Sequence, residues 1–582
     1  MTRRFGPRSP LSSVLESAEA RTILQNALPG VLNSPMVVNL RTLPVGLLVE
    51  RDRAMSADPQ AQARLWEQLG SVEDRSQPAD DRVFRPDPGY ESTEVPRASA
   101  TPTHPDRVGV HEVFELTVAG PSHGNPFVDV ELTAAFTSPE GTAVPVGGFY
   151  DGDGRYVVRY LPPCAGPWSF TTRSTARSLD GIEGTFEAVP SLASGPVATD
   201  GFHFRYADGT RYLPLGTTAY AWTHQDEQVQ LRTLDSLARS PFTKLRMCLF
   251  PKSYSYNTNE PERFVFPRGD GGGWDVTRFD TEYFARLERR VSELAAIGVE
   301  ADLVLFHAYD RWGFSDLGPA ADDRYVRYVV RRLAAFPNVW WSMANEYDLL
   351  WSKSVDDWER LAAIVVEEDP VGHLRSIHNC FTFYNHARPW ITHCSVQRID
   401  TYRTAENTDD WRARWNKPVV VDECGYEGDL DQGWGNLTGE EMTRRCWEGA
   451  VRGGYVGHGE TYYAEDEEIW WSNGGTLRGT SPERIAFLAR ITAESPTGAL
   501  DPLPLEWDAP WGGVADEYTV IYFGFNRPRS RTVTLPPGQR VHVDVLDTWN
   551  TTVERLPGTF GGTFTVPLPA RQYMALRMTR VP

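Results

Sequence analysis

The chain has few of the features that mark metal-binding, redox and membrane proteins. It contains six cysteines in 582 residues, and none pair in the C-x-x-C spacing of a zinc or thioredoxin-like site. No stretch reaches 18 apolar residues, as a transmembrane helix requires, and the start lacks the apolar core of a signal peptide. We therefore expect free thiols, no metal, no cofactor, no membrane contact and a cytoplasmic location.

Positive charge is also scarce relative to negative charge. The net charge is −20, and a surface of that sign repels the phosphate backbone, which excludes nucleic acid as a partner. Aromatic residues, by contrast, are abundant at 12% of the chain. Most of them are expected to pack in the core, but as a class they also line binding pockets.

The hydrophobic periodicity changes along the chain and divides it into segments. Residues 1–72 show the helical period, 73–107 form a polar linker, and 108–192 alternate with period two, as in a β-sandwich. Residues 200–497 alternate strand and helix patterns, and 500–582 predict a second β-sandwich. The helical segment is too small to fold alone, so we expect it to pack on a larger domain or on a second copy in a homo-oligomer.

The central segment predicts a (β/α)₈ barrel, because eight strand patterns in about 300 residues fit that fold. A doubly wound sheet is the alternative, but no Gly-rich phosphate turn follows the first strand. The predicted fold is thus a multidomain protein with a TIM barrel flanked by N-terminal and C-terminal β-sandwiches. The predicted barrel strands are 212–220, 242–250, 299–306, 339–345, 374–379, 396–402, 418–425 and 455–463.

Two of these strands end in carboxylates: the fourth at Asn345-Glu346 and the seventh at Asp422-Glu423. Active sites of TIM barrels lie at the carboxyl ends of the strands. Two carboxylates facing a glycosidic bond can cleave it, one protonating the leaving oxygen and the other attacking the anomeric carbon. Strand alternation points Asp422 and Glu423 to opposite faces, so only one is expected in the site. The alternative role for each carboxylate is that of a buried salt-bridge partner.

The polar residues at the strand ends resemble those of the clan GH-A retaining glycoside hydrolases. In that clan the acid/base follows an asparagine on strand four, and the nucleophile ends strand seven. The resemblance implies that Glu346 is the acid/base and Glu423 the nucleophile, with the carboxyl groups about 5–5.5 Å apart. It further implies site roles for Arg246 on strand two, His307 on strand three, Asn345 and the strand-six residue Tyr402.

The segment before the barrel resembles a β-sandwich module that precedes barrels of this clan. Its motifs are Asn125-Pro-Phe127, Gly148-Phe-Tyr-Asp-Gly152 and Gly166-Pro-Trp168. Strand eight departs from the clan, because it lacks the usual terminal tryptophan and reads Gly457-His458-Gly459-Glu460.

Five further residues are predicted to lie near the strand ends, where they could contact the substrate. For His378, His458 and Glu460, binding of sugar hydroxyls and support of the site from behind are both open. Trp222 and Trp312 are the predicted stacking platforms, with packing in loops as the alternative.

These predictions together describe a retaining glycosidase that acts on an oligosaccharide or glycoside by double displacement. A cytoplasmic enzyme would meet short substrates, which favours exo action in a pocket closed by the 148–154 hairpin. Hexose, pentose and furanose sugars are all left open. The rival functions are a transglycosylase with the same residues and a non-catalytic carbohydrate-binding protein, and the intact pair of glutamates argues against the latter.

Overall fold

The computed structural model describes residues 4–30, 32, 37, 40–74, 84–398, 400, 403–465, 468–504 and 508–581. Contacts divide the chain into two compact units. Unit 1 comprises Met1–Pro196, Cys248–Ser292 and Leu303–His373, and unit 2 comprises Val197–Met247, Glu293–Asp302 and Leu374–Pro582. Within the described ranges, no helix has the length and apolar character needed to cross a bilayer.

Unit 1 begins with short helices whose ends follow from local capping. Ser17 accepts a hydrogen bond from Ala20 N, and Asp58 accepts from the backbone amides of Gln60 and Ala61. Such side chains satisfy amide groups that have no partner inside the helix. The helices are Leu11–Glu16, Ala18–Ala27, Val45–Arg51, Arg53–Ser56 and Pro59–Ser71.

Two sheets then face each other over an aromatic core, which is the predicted β-sandwich pattern. Alternate residues of Phe114–Ala119 and Leu132–Thr137 are buried, and Phe114, Phe136 and Trp168 belong to the core. One sheet has the order Thr101–Thr103, Phe114–Ala119, Arg155–Tyr160, Phe149–Tyr150. The other has the order Arg107–Gly109, Glu183–Val189, Gly166–Ser174, Leu132–Thr137, Ala143–Gly147.

A buried ion network joins this module to two helices of unit 1. Arg159 Nη2 donates to Glu288 Oε2 at 3.0 Å, and Arg332 Nε donates to Glu288 Oε1 at 2.5 Å. Although burial opposes it, the two guanidinium groups hold the pKa of Glu288 below its usual range. Glu288 lies on the helix Thr281–Ala296 and Arg332 on Pro319–Leu333.

A strand overlaps each of the eight predicted ranges, although several, among them Gly216–Thr218 and Arg375–Ser376, are shorter than predicted. They lie in a five-stranded and a three-stranded sheet. The first has the order Gly216–Thr218, Lys244–Cys248, Glu300–His307, Val339–Asn345, Arg375–Ser376. The second has the order Cys394–Gln397, Val419–Glu423, Tyr455–Val456, with parallel pairing.

Helices separate most of these strands, as the helical period predicts. The α-helices are Glu227–Ala238, Thr281–Ala296, Pro319–Leu333, Val355–Glu368, Thr408–Trp415, Gly439–Val451, Trp470–Asn473 and Ser481–Ala493, and one further short helix, Pro126–Asp129, lies in the sandwich. The 3₁₀ turns are Arg177–Leu179, Trp222–His224, Phe314–Asp316, Tyr347–Leu349 and Ala405–Asn407.

Two connections within unit 2 extend beyond the strand ladders. Thr217 and His458 form a parallel bridge, which places the end of strand eight beside strand one. Thr392 N donates to Arg375 O at 2.9 Å, next to strands five and six. Between the described residues of strands five and six no ladder is formed, and the predicted closure of the barrel stays a prediction.

The chain ends in a second β-structure with its own apolar core, which includes Ile521, Val543 and Leu576. Its main sheet has the order Asp501–Pro502, Trp511–Val514, Tyr518–Tyr522, Met574–Arg580, Arg540–Asp547, Thr552–Arg555, with Phe560–Gly561 also paired to Arg540–Asp547.

The remaining strands form three small sheets: Ser530–Thr534 with Thr563–Pro567, Val197–Asp200 with His203–Tyr206 and Arg211–Tyr212, and Glu427–Gly428 with Glu460–Thr461.

Candidate active site

In unit 2, three strand ends meet at the carboxylate of Glu423. Glu423 ends its strand and is 7% exposed. Tyr220, which follows strand one, donates its hydroxyl to Glu423 Oε1, and His378 Nε2, which follows strand five, lies 3.5 Å from the same oxygen. Burial and the nearby Glu423 charge raise the pKa of Tyr220 well above its usual value. The phenol therefore stays protonated and acts as a donor.

Beneath Glu423 lies a buried network of opposite charges. Lys244 Nζ contacts Asp302 Oδ2 at 2.8 Å and Asp422 Oδ1 at 2.7 Å, while Arg246 Nη1 contacts Asp302 Oδ2 at 3.1 Å. Although burial opposes it, Lys244 and Arg246 hold the pKa of Asp422 well below its usual range. Asp422 is thus a charged ion-pair partner of Lys244, whereas Glu423 accepts the Tyr220 hydroxyl.

Arg246 connects this network to Glu423. Its burial is nearly complete, and burial alone would lower its pKa, but Asp302, Asp422 and Glu423 together raise it well above the usual value. The guanidinium is therefore charged. Its field favours the ionised form of a neighbouring carboxylate, as expected of a residue that keeps a nucleophile ionised.

A register shift changes how the end of strand seven presents its side chains. Val396 pairs with Val421, but the next residue, Gln397, pairs with Glu423, so Asp422 is bypassed. Such an irregularity re-aims side chains at the end of a strand. The charge of Arg246 acts on both Asp422 and Glu423, but Asp422 contacts Lys244 whereas Glu423 accepts the Tyr220 hydroxyl.

In unit 1, strand four ends at the predicted acid/base. Asn345 is the last residue of Val339–Asn345 and is buried. Glu346 follows with φ 54° and ψ 55° and is 5% exposed. A left-handed conformation is costly for a residue with a side chain and is often found at functional sites. His307 ends strand three in the same unit, and its Nε2 donates to Phe250 O at 3.1 Å.

Family models match three parts of the chain. The segment 198–483 matches the apiosidase-like catalytic domain. The segments 107–175 and 507–579 match two domains of unknown function, DUF5060 and DUF5605. No curated protein matches the chain.

A solved structure decides the family. A candidate glycoside hydrolase from Bacteroides vulgatus ATCC 8482 is 38% identical over 82% of this chain and 100% of that chain, with a TM-score of 0.78. The chain belongs to the glycoside hydrolases. A family 5 glycoside hydrolase from the same organism, at 15% identity, covers 66% of this chain and 94% of its own with a TM-score of 0.53, a likeness of fold alone.

The structure does not place every predicted site residue of the hydrolase. Tyr402, the predicted partner of the nucleophile, lies outside the described residues. His378 is within reach of Glu423 and also contacts Ser395 Oγ at 2.9 Å and Gln397 Oε1 at 3.2 Å. Its ring is therefore oriented from behind by strand six.

His458 and Glu460 are fully buried. Their burial favours a role in supporting the site from behind over direct contact with a sugar. His458 stacks on Phe242 with ring centroids 4.5 Å apart, and its Nδ1 lies 3.0 Å from Thr217 Oγ1. Burial lowers the pKa of His458 to about 4 and raises that of Glu460 to about 7.

The two predicted stacking platforms are covered to different degrees. Trp222 is fully buried and donates its Nε1 to Met247 Sδ at 3.3 Å, so it offers no open face to a sugar and that prediction is wrong. Trp312 is half-buried, and the Arg311 guanidinium lies 4.8 Å from its ring centroid.

The 148–154 hairpin packs on the helix that precedes strand four. Tyr328 Oη donates to Tyr150 O at 2.9 Å, and Arg332 Nη1 donates to Asp151 Oδ1 at 2.5 Å. Both residues lie on the helix Pro319–Leu333. The predicted closure of a substrate pocket by this hairpin stays a prediction.

The prediction missed Tyr220 as a donor, and it missed Lys244 and Asp302 as partners of Asp422. Lys244 and Asp302 carry a usable signal, because a charge inside an apolar strand must find an opposite charge or leave the core. Tyr220 carries no such signal, since its role depends on where strand one ends relative to strand seven.

Proposed function

We propose that the hydrolase is a retaining glycosidase in which Glu423 is the nucleophile and Glu346 the acid/base. The observation that carries the proposal is the setting of Glu423, a buried carboxylate that accepts the Tyr220 hydroxyl beside the Arg246 charge. These groups favour an ionised, oriented carboxylate, as nucleophilic attack requires. The eight strands are proposed to complete a (β/α)₈ barrel with both glutamates at its mouth.

The reaction would proceed in two displacements. Glu423 attacks the anomeric carbon and forms a glycosyl ester, while Glu346 gives its proton to the leaving oxygen. Glu346 then removes a proton from water, which attacks the anomeric carbon and releases Glu423. Asn345 would bond the hydroxyl next to that carbon, and Tyr402 would be a second donor to Glu423.

The family description favours a pentofuranoside as substrate. The catalytic segment resembles apiosidase-like domains, and apiose is a branched pentose that occurs as a furanose. We propose exo action on such a terminal sugar.

A panel of aryl glycosides tests this proposal. Pentofuranosides, pentopyranosides and hexopyranosides are incubated with the wild type, with Glu346→Ala and with Glu448→Gln, which changes a buried glutamate outside the site. We expect release from a furanoside by the wild type and the control, and NMR of the first sugar formed should show the substrate's anomeric configuration. Inversion of configuration would contradict the mechanism.

The panel also separates the rival functions. Loss of donor without an equal amount of free sugar would favour transglycosylation. Binding of sugars without release of any aglycone would favour a carbohydrate-binding protein.

A further inference from the structure

A buried cluster of potential metal ligands lies four residues beyond the nucleophile, in unit 2. One potential ligand atom from each of Glu427, His458 and Glu460 lies within 4.8 Å of the other two. Glu427 and Glu460 stand on paired short strands, and His458 follows strand eight, Tyr455–Val456. All three residues are buried, so the cluster has no exchange with bulk water in this conformation.

Two atoms of the cluster have no hydrogen-bond partner. His458 Nε2 and Glu460 Oε1 are both inaccessible to solvent and unsatisfied, although buried polar atoms are nearly always paired. They face each other at 3.6 Å, which is longer than a hydrogen bond of 2.7–3.2 Å. Two ligands of one tetrahedral ion at about 2.1 Å stand roughly 3.4 Å apart, close to the observed separation.

The surrounding bonds fix the other ligand atoms. Glu427 accepts from Thr480 N at 2.7 Å and from Ser481 N at 3.0 Å at the start of helix Ser481–Ala493, where a negative charge is favoured. Glu460 Oε2 accepts from Arg478 N at 2.7 Å. Outer bonds of this kind orient metal-ligating carboxylates.

The charge of the cluster also calls for a cation. Neither Glu427 nor Glu460 forms an ion pair with a lysine or arginine of the described chain. Two close carboxylates beside an imidazole are costly without a neutralising partner. Thr217 Oγ1 already accepts from Trp470 Nε1 at 2.9 Å, and its second lone pair can accept from His458 Nδ1. That tautomer leaves Nε2 free to bind an ion.

Gly479 keeps the space between the carboxylates of Glu427 and Glu460 open. A Cβ at Gly479 would lie 2.6 Å from both Glu427 Oε2 and Glu460 Oε1. Any other residue would therefore displace the two oxygens that face the cluster.

We propose that Glu427, His458 and Glu460 bind one divalent first-row transition-metal ion. Imidazole with carboxylates suits ions such as Zn²⁺ better than Ca²⁺ or Mg²⁺. The ion would tie the segment after the nucleophile to the segment after strand eight. The proposal departs from the expectation of a metal-free protein and does not depend on the catalytic assignment.

Metal analysis and Zn²⁺ titration of the full chain test the site. We expect about one equivalent of metal per chain after purification, or one Zn²⁺ bound by chelator-treated protein, with a higher melting temperature when loaded. Glu460→Gln and Gly479→Ala should weaken Zn²⁺ binding by at least about 100-fold, more than the loss of an outer bond would. The matched controls Glu448→Gln and Gly433→Ala, whose Cβ would meet open space, should bind as the wild type does.

Co²⁺ gives a readout that does not need the variants. Co²⁺ added to chelator-treated wild type should produce the visible absorption of a protein-ligated ion, and Zn²⁺ should abolish it. A wild type that binds neither ion, with a melting temperature unaffected by chelator, would overturn the proposal. Equal binding by wild type and Glu460→Gln would also overturn it, since the ion would then lie elsewhere.

Discussion

At the scale of single residues, Tyr220 has the most direct influence on the proposed nucleophile. Its hydroxyl is a fixed donor to Glu423, and hydrogen bonds to a charged group contribute about 1.5–3 kcal/mol. The environment of Glu423 therefore differs from that of Asp422 partly because Glu423 accepts a hydrogen bond from a tyrosine that follows another strand.

Tyr220→Phe should lower kcat/KM by roughly 10- to 100-fold, because about 1.4 kcal/mol corresponds to a factor of ten. The acidic limb of the pH profile should move to higher pH, since a carboxylate that loses a donor is harder to ionise. Kinetics across pH measure both effects. Tyr518→Phe, which removes a buried hydroxyl bonded to Ile491 O, is the control, and an unmoved acidic limb in Tyr220→Phe would count against the role.

Glu448 provides a second residue-scale prediction, on stability. Burial raises the pKa of Glu448 to about 7. Because this pKa is higher in the folded than in the unfolded chain, protonation of Glu448 stabilises the fold. This contribution to stability is fully present below about pH 4.5 and is lost as the pH rises through 7. Glu448→Gln should remove this loss, which is worth roughly 3 kcal/mol. In urea unfolding, the free energy of unfolding of the variant should therefore rise relative to that of the wild type between pH 5 and pH 7.5.

The control for Glu448 lies on the same helix. Although burial opposes it, Arg444 and Arg445 lower the pKa of Glu441, so its contribution is present above about pH 4.5 and lost in acid. Glu441→Gln should therefore be most destabilised at neutral pH. The same pH trend in both variants would contradict the assignment.

At the scale of elements, strands two, three, six and seven of the alternating segment depend on buried charges. Lys244 on strand two joins Asp302 on strand three and Asp422 on strand seven, and Ser395 Oγ donates to Asp422 Oδ2 at 2.5 Å. The ion network therefore holds the strand that presents Glu423.

Lys244→Met should cost about 3–5 kcal/mol of unfolding free energy, because it leaves two carboxylates buried without their main cation. Arg239→Met, which breaks an exposed pair with Asp235, should cost less than about 1 kcal/mol. Urea unfolding of both variants at pH 7 gives the comparison. Equal costs would show that the buried network is not stabilising.

The elements themselves were largely predictable from sequence. Strand Val339–Asn345 has the predicted bounds, because a continuous apolar run acts locally. The capping box at Ser354, which begins helix Val355–Glu368, is likewise a local signal. The strand Arg375–Ser376 is much shorter than the predicted 374–379. Its partner strand is set by tertiary contacts, which no local period encodes.

At the scale of the whole molecule, the sequence predicts the reaction better than the surroundings of the site. The carboxylates at two strand ends are visible as apolar runs that stop at Glu346 and Glu423. The register shift at Asp422, the burial of Trp222 and the position of the 148–154 hairpin depend on packing between distant segments. None of these could be read from spacing, and the substrate proposal rests on comparison for the same reason.

Replacement of Glu423 tests the central claim most directly. Glu423→Ala should lose nearly all hydrolysis of its aryl glycoside, and azide should restore release of the aglycone with a glycosyl azide of inverted configuration, because azide then attacks in place of the carboxylate. A near-normal rate in Glu423→Ala, or a rescued product of retained configuration, would show that Glu423 is not the nucleophile.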